Sequence, residues 1–201
     1  MSCLLTESLP KSVWVDGREY GVRWAYQYGI MMERALRDEG LSEEDRLWVA
    51  LSIFYEGELP GDVGAAVAAM GKFLVRERRM NEAQKRAAAR FAEALPLYCY
   101  EQDDEYIFAA FMGQYGINLA REKGLHWHEF CALFNGLDEC VFTRIKGWRG
   151  ADLGRIKDAG ERRRAAEIKA FWALPEGEEA RRRLEALEKA LMEDGRIAGV
   201  L

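Results

Sequence analysis

The stretch Glu101–Leu137, EQDDEYIFAAFMGQYGINLAREKGLHWHEFCALFNGL, is the densest run of large apolar residues in the chain, and its reading decides the fold. Two helices joined by a short glycine-bounded connection account for it. The first opens on Glu101, Asp103, Asp104 and Glu105, acids that suit a helix N-terminus because its exposed N–H groups carry partial positive charge. Tyr106, Ile107, Ala110, Phe111 and Gln114 then recur at helical steps, giving one apolar stripe with a polar edge. Gly116 stands where a C-cap glycine belongs. The second helix carries Trp127, Phe130, Cys131, Phe134 and Leu137, with Gly136 near its end. Both helices read as core.

The whole chain of 201 residues can bury one substantial core. Its 49% apolar and 31% charged residues are ordinary for a folded soluble protein. A net charge of −5 argues against coating nucleic acid as the main task. The four cysteines, Cys3, Cys99, Cys131 and Cys140, lack CxxC spacing and read as thiols in a reducing compartment. The N-terminal MSCLLTESLPKS has neither the basic nor the apolar region of a signal peptide. No apolar run approaches the roughly 20 residues that cross a bilayer. A soluble protein without a membrane partner is expected, in the cytoplasm.

Away from the central pair, Val13–Val22 is the one clear β signal. Asp16-Gly17 between β-prone residues asks for a tight hairpin, which must lean on the helices because a lone hairpin is marginal in water. Helices are predicted over 24–39, closed by Gly40, and from the Ser42 cap to Tyr55, the latter buried on most faces. A third is predicted over 62–79, where Gly71 hints at a close crossing, and an alanine-rich one over 81–95, stopped by Pro96. Beyond Leu137 the chain is basic and broken, with short helices over 142–148 and 152–157 and a longer one over 161–174, ended by Pro175. A last charged helix over 178–194 carries the narrow seam Leu184, Leu187 and Leu191, compatible with self-association into a homo-oligomer. The expected architecture is all-α in the main, seven to nine helices with a small N-terminal hairpin at 13–22. One domain spans 1–175, followed by a detached or self-associating helix in 176–201.

Candidate chemistry is sparse. His126 and His128, two residues apart on a helix, diverge and have no third ligand at metal spacing. One histidine capping the helix and one on its surface is the favoured reading, with no metal site. The acids at 101–105 read as solvated charges matched to the helix dipole rather than a magnesium site. Nucleophile elbows, phosphate loops and Walker sequences are absent, so neither an enzyme nor a cofactor is expected. From Arg144 to Lys169, nine Lys or Arg face four Asp or Glu. The basic face comprises Arg144, Lys146, Arg149, Arg155, Lys157, Arg162, Arg163 and Arg164, with Trp148 among them. It reads as a solvated face or a dock for an acidic protein partner, in preference to a nucleic-acid track.

These residues carry a resemblance. Leu4-Leu5-Thr6 through Leu9-Pro10, Val15-Asp16-Gly17 and Tyr20 match the pattern of a family of small tailed-phage and prophage proteins, the bacteriophage "gene product fifteen" family. The strongest blocks are Tyr100-Glu101-Gln102-Asp103, Glu105-Tyr106-Ile107, Ala109-Ala110-Phe111 and Gln114-Tyr115-Gly116-Ile117 with Leu119. Leu125-His126-Trp127, Phe130 and Ala132 through Leu137 continue it, as do Arg149, Asp152-Leu153, Ile156-Lys157-Asp158 and Ala173-Leu174-Pro175. The likeness covers about residues 4 to 175 apart from the alanine-rich 81–95 segment; Asn118 departs from it, standing where the family usually has an acid. The resemblance implies a tail-assembly chaperone in the bacterial host cytoplasm, with the tape-measure protein and the tail-tube protein as partners. A structural tail or connector subunit retained in the virion is the alternative, and a nucleic-acid-binding phage protein comes third. On the chaperone reading, an amphipathic client helix lies in an apolar groove, with Tyr106, Phe111, Met112, Trp127 and Trp148 as candidate anchors.

Overall fold

The computed structural model describes residues 4–75 and 96–174 of the chain. Within them, seven α-helices and one two-stranded hairpin form a mainly helical fold. The hairpin pairs β1 (Ser12–Val15) with β2 (Arg18–Gly21), Val15 opposite Arg18. That register leaves Asp16 and Gly17 as the turn, at φ 49° and 77°, the paired positive values a two-residue hairpin loop needs. The hairpin does lean on the helices. Val15 is buried, Val13 and Tyr20 pack on the core, and Val22 bridges to Tyr55.

Helices α1 (Tyr26–Arg37) and α2 (Glu43–Phe54) pack against each other across a short connection. Helix α1 stops before Gly40, where Asp38 turns the chain by accepting the Gly40 N–H through its own carboxylate at 2.9 Å. Ser42 caps α2 as its position requires, its Oγ accepting from the Asp45 N–H at 3.1 Å. Arg23 serves the other end. Its Nη1 donates to the carbonyls of Ser52, Ile53 and Tyr55 at 2.8, 2.9 and 2.9 Å, orphans that no helical N–H could reach. Expected burial on most faces of α2 is corrected here. Only Ala50, Leu51 and Phe54 are enclosed, while Leu47, Trp48 and Val49 face outward. An apolar residue at every angle shows composition, and only the number of neighbouring elements decides how many faces are covered.

Helix α3 (Val63–Val75) follows, burying Ala66, Met70 and Phe73. Gly71 within it has nothing within 4 Å of a notional Cβ among the described residues, so no close crossing with them is marked there. The close approach is at Gly29 in α1, where a Cβ would lie 2.0 to 2.7 Å from three ring atoms of Trp127. The helix expected over 81–95, the one over 178–194 and the boundary at Pro175 lie outside the described residues.

The central stretch forms the two expected helices, α4 (Asp104–Tyr115) and α5 (Trp127–Asn135). Gly116 closes α4 at φ 68°, which lets its N–H and that of Ile117 turn back to the carbonyls of Met112 and Phe111. Phe130 is fully enclosed and stacks on Tyr26, Phe111, Trp127 and Phe134, at centroid distances of 5.0, 5.1, 5.8 and 5.7 Å. Full burial of such a ring contributes roughly 2–3 kcal/mol, with about 0.5–1.5 kcal/mol more per good aromatic pair. Helix α6 (Val141–Arg149), a single 3₁₀ turn at Leu153–Arg155 and α7 (Ala159–Phe171) complete the described fold. Asp152 and Asp158 start the last two, accepting from Gly154 and Glu161 N–H at 3.0 and 2.7 Å. Helix α7 encloses none of its residues.

Candidate partner-binding site

Two of the expected surface groups belong to the interior. Asp103 is fully buried. Its carboxylate accepts both Arg149 guanidinium branches, Nη1 to Oδ2 at 2.6 Å and Nη2 to Oδ1 at 2.9 Å. Arg149 also donates to the Leu97 and Trp172 carbonyls, at 3.1 and 2.6 Å, and Asp103 accepts the Cys99 N–H at 3.0 Å. This pair therefore ties the segment before α4 to the ends of α6 and α7. The solvated-acid reading of Asp103 and the basic-face reading of Arg149 are both corrected. In a low-dielectric interior neither charge persists without the other, and bidentate geometry is what Arg supplies and Lys does not.

His128 is the third correction, for it is buried rather than on the surface. His126 does cap α5, its Nδ1 accepting the His128 N–H at 3.0 Å while Glu129 accepts the His126 N–H at 2.8 Å. That fixes the His126 proton on Nε2, which donates to the Pro10 carbonyl at 2.9 Å. His128 Nε2 and the Trp127 indole meet the carbonyls of Phe73 and Leu74, at 2.7 and 3.1 Å. Three consecutive side chains thus secure the Phe73–Leu74 part of α3 and the irregular segment leading into the hairpin. Burial, above all, holds the His126 imidazole below its ordinary range. Among the described residues, no group of three or more His, Cys, Asp or Glu converges on a point where a metal ion could sit.

The five expected anchors separate. Phe111 and Trp127 are core, the first stacked on Phe130 and the second against Gly29, and no partner reaches them without opening the fold. Met112 is exposed on α4. Tyr106 is half-buried and meets Trp172 edge-on at 5.8 Å; Trp172 in turn stacks on Trp148 at 5.7 Å. Trp148 is the anchor that lines a groove. With Ala151, Ile156, Ala165 and Ile168 it forms an apolar floor between α6, the 3₁₀ turn and α7, enclosing about 380 Å³, with Glu161 and Arg164 on its wall.

Of the basic residues, Arg164 lines it. Arg144, Lys157, Arg162, Arg163 and Arg164 are exposed, and so is Arg155, which pairs loosely with Asp152 at 3.1 Å. Lys146 turns inward instead, its ammonium over the Phe134 and Phe142 rings at 5.2 and 4.8 Å. Partial burial there pushes its pKa down. The groove is therefore an apolar trough with one acid and one base on its wall, suited to the apolar face of a helical segment. Ile168 and Phe171, with Arg164, stand at steps of four and three along α7, and that periodicity was the available signal for the residues that sequence reading missed.

No helix among the described residues is long and apolar enough to cross a membrane. No curated protein and no solved structure matches the chain significantly. A family model does, over residues 5–174, the span that holds the hairpin, the Phe130 core, the Asp103–Arg149 tie and the Trp148 groove. Its description is Bacteriophage Gp15 protein, and with that span matched the chain belongs to this family of bacteriophage proteins.

Proposed function

We propose that this bacteriophage protein acts as a tail-assembly chaperone in the host cytoplasm, by binding rather than catalysis. Its client is the tape-measure protein, which it keeps soluble while the tail-tube protein polymerises around it. The observation that carries the reading is the Trp148 groove. Among the described residues an apolar groove of about 380 Å³, with Arg164 and Glu161 on its wall, is left open, and it fits one face of an amphipathic helix. Trp148 is pre-oriented by stacking on Trp172, so little side-chain freedom is lost when a client arrives. The chemistry is that of a holdase: apolar burial for affinity, peripheral charge for rate and orientation.

Co-expression with the tape-measure protein of the same phage genome, followed by affinity capture, tests the reading. A soluble stoichiometric complex is expected where the tape-measure protein alone precipitates. Replacing Ile168→Asp on the groove floor should weaken capture by roughly 10- to 100-fold, the equivalent of losing one buried aliphatic side chain. A tape-measure protein that stays insoluble with the wild-type chain present would overturn the chaperone reading.

A further inference from the structure

One wall of the Trp148 groove is a helix that the core does not hold. Helix α7 supplies Glu161, Arg164, Ala165 and Ile168 to the lining and encloses none of its residues, so burial does little to fix where that wall stands. Ties near its C-terminal end fix it instead. Lys169 Nζ donates to the Ala151 carbonyl at 2.9 Å, and Arg149 Nε donates to the Trp172 carbonyl at 2.6 Å. The Trp172 ring, just past the last turn of α7, stacks on Trp148 at 5.7 Å with 24° between the planes. It meets Tyr106 of α4 edge-on at 5.8 Å. Trp172 thus links the tryptophan of the groove to α4.

Arg149 directly follows Trp148 in α6, and its Nη1 and Nη2 both donate to Asp103, at 2.6 and 2.9 Å. A guanidinium is planar, so seating two of its nitrogens on a buried carboxylate also sets the direction of Nε. Asp103 is itself held by the Cys99 N–H at 3.0 Å. Tyr106 lies three residues beyond Asp103, so one end of α4 presents both the carboxylate that aims Arg149 and the ring that meets Trp172. None of Asp103, Tyr106 and Arg149 lines the groove.

We infer that Asp103, Arg149 and Tyr106 are positioning residues for the Trp148 groove, acting through Trp172 to orient Trp148 and to hold the α7 wall beside it. Tyr106 then serves client binding without being an anchor. The inference rests on the groove as the seat of the client, but the state of the groove is readable with no client present. A residue that only stabilises the fold loosens the core when it is changed. A positioning residue of this kind loosens α7 first, because α7 has no burial of its own to hold it.

Two measurements on the full chain test this. Circular dichroism reads the Trp148–Trp172 stack as an exciton couplet, assigned by its disappearance in Trp148→Phe. Among the described residues no other two tryptophans are in ring contact. Hydrogen exchange followed by mass spectrometry reads the opening of α7. In Tyr106→Leu the couplet should weaken and α7 should exchange roughly 2- to 10-fold faster, the factor a lost aromatic pair gives, while α1 and α5 keep their protection. In Arg149→Lys the couplet should weaken further and α7 should exchange roughly 10- to 100-fold faster, as the loss of a hydrogen bond from a charged donor requires. Gly29→Ala, far from the groove in the α1–α5 contact, should do the reverse, loosening α1 and α5 and leaving the couplet intact. Capture of the tape-measure protein should fall in Tyr106→Leu and hold in Gly29→Ala. Tyr106→Leu keeps the test decisive where Arg149→Lys does not fold. A wild-type couplet together with wild-type exchange over α7 in folded Tyr106→Leu would overturn the inference, and so would equal loosening of α1, α5 and α7. A wild-type chain that captures no tape-measure protein would overturn the chaperone reading, while the couplet and the exchange still decide what positions the groove.

Discussion

Gly29 shows how much one missing methyl can decide. The Trp127 ring occupies the place a Cβ would take, so α1 and α5 meet at a distance only glycine permits. Gly29→Ala should cost about 1–3 kcal/mol by overpacking, with the Trp127 indole pushed off the Leu74 carbonyl. Urea unfolding monitored by tryptophan fluorescence reads both effects. Asp103 and Arg149 make the corresponding electrostatic point. Asp103→Asn or Arg149→Lys leaves a buried charge poorly matched, and each should lose about 3–5 kcal/mol in denaturant titration. Replacing both, Asp103→Leu with Arg149→Met, should lose less than the two single changes summed, because no isolated charge is left behind.

At the scale of elements, the short segment 126–128 matters more than its length suggests. It starts α5, holds the carbonyls of Phe73 and Leu74 in α3 and pins the segment before the hairpin through four hydrogen bonds. The cap at Nδ1 of His126 needs an unprotonated nitrogen, and burial opposes the charged ring as well. The folded-state pKa thus lies below the ordinary 6.5. Stability from this group is complete above that value and is lost as pH falls through the lowered folded pKa. Melting temperature should therefore drop between about pH 7 and pH 5 more steeply in the wild type than in His126→Asn, which keeps a capping acceptor and does not titrate there. Equal slopes would show that His126 contributes nothing to acid sensitivity. The hairpin turn gives a simpler case. Gly17 sits at φ 77°, and Gly17→Ala should cost about 1 kcal/mol by thermal melting, since an L side chain resists that conformation.

For the whole molecule, the described surface divides by charge and apolarity. The α6–α7 side holds an apolar trough with Glu161 and Arg164 on its wall, and the α1–α4 side holds another whose wall carries Glu101, Asp104 and Glu105 against Arg34. If Arg164 at the groove, with the exposed arginines elsewhere on α7, orients the client, capture should form more slowly as salt rises while dissociation changes little, which surface-based kinetics with tape-measure fragments can separate. Much of this layout follows from composition, because Arg144–Lys169 carries its excess of cations in sequence order. The membership of each trough does not, for Trp148 and Ile168 meet only once the 3₁₀ turn has reversed the chain.

The sequence by itself determined the element types, the hairpin turn, the caps at Ser42 and Gly116, and the core role of the Glu101–Leu137 stretch. Those features depend on local periods and on backbone angles that particular residues favour or forbid, and both are written in neighbouring positions. Tertiary structure alone decided that α2 is covered on one side, that Gly29 marks a close contact, that Asp103 and Arg149 neutralise each other 46 residues apart, and that His128 is buried. Each of these depends on which distant segment arrives at the same place. Burial and charge pairing are properties of that arrival, and no local pattern encodes it.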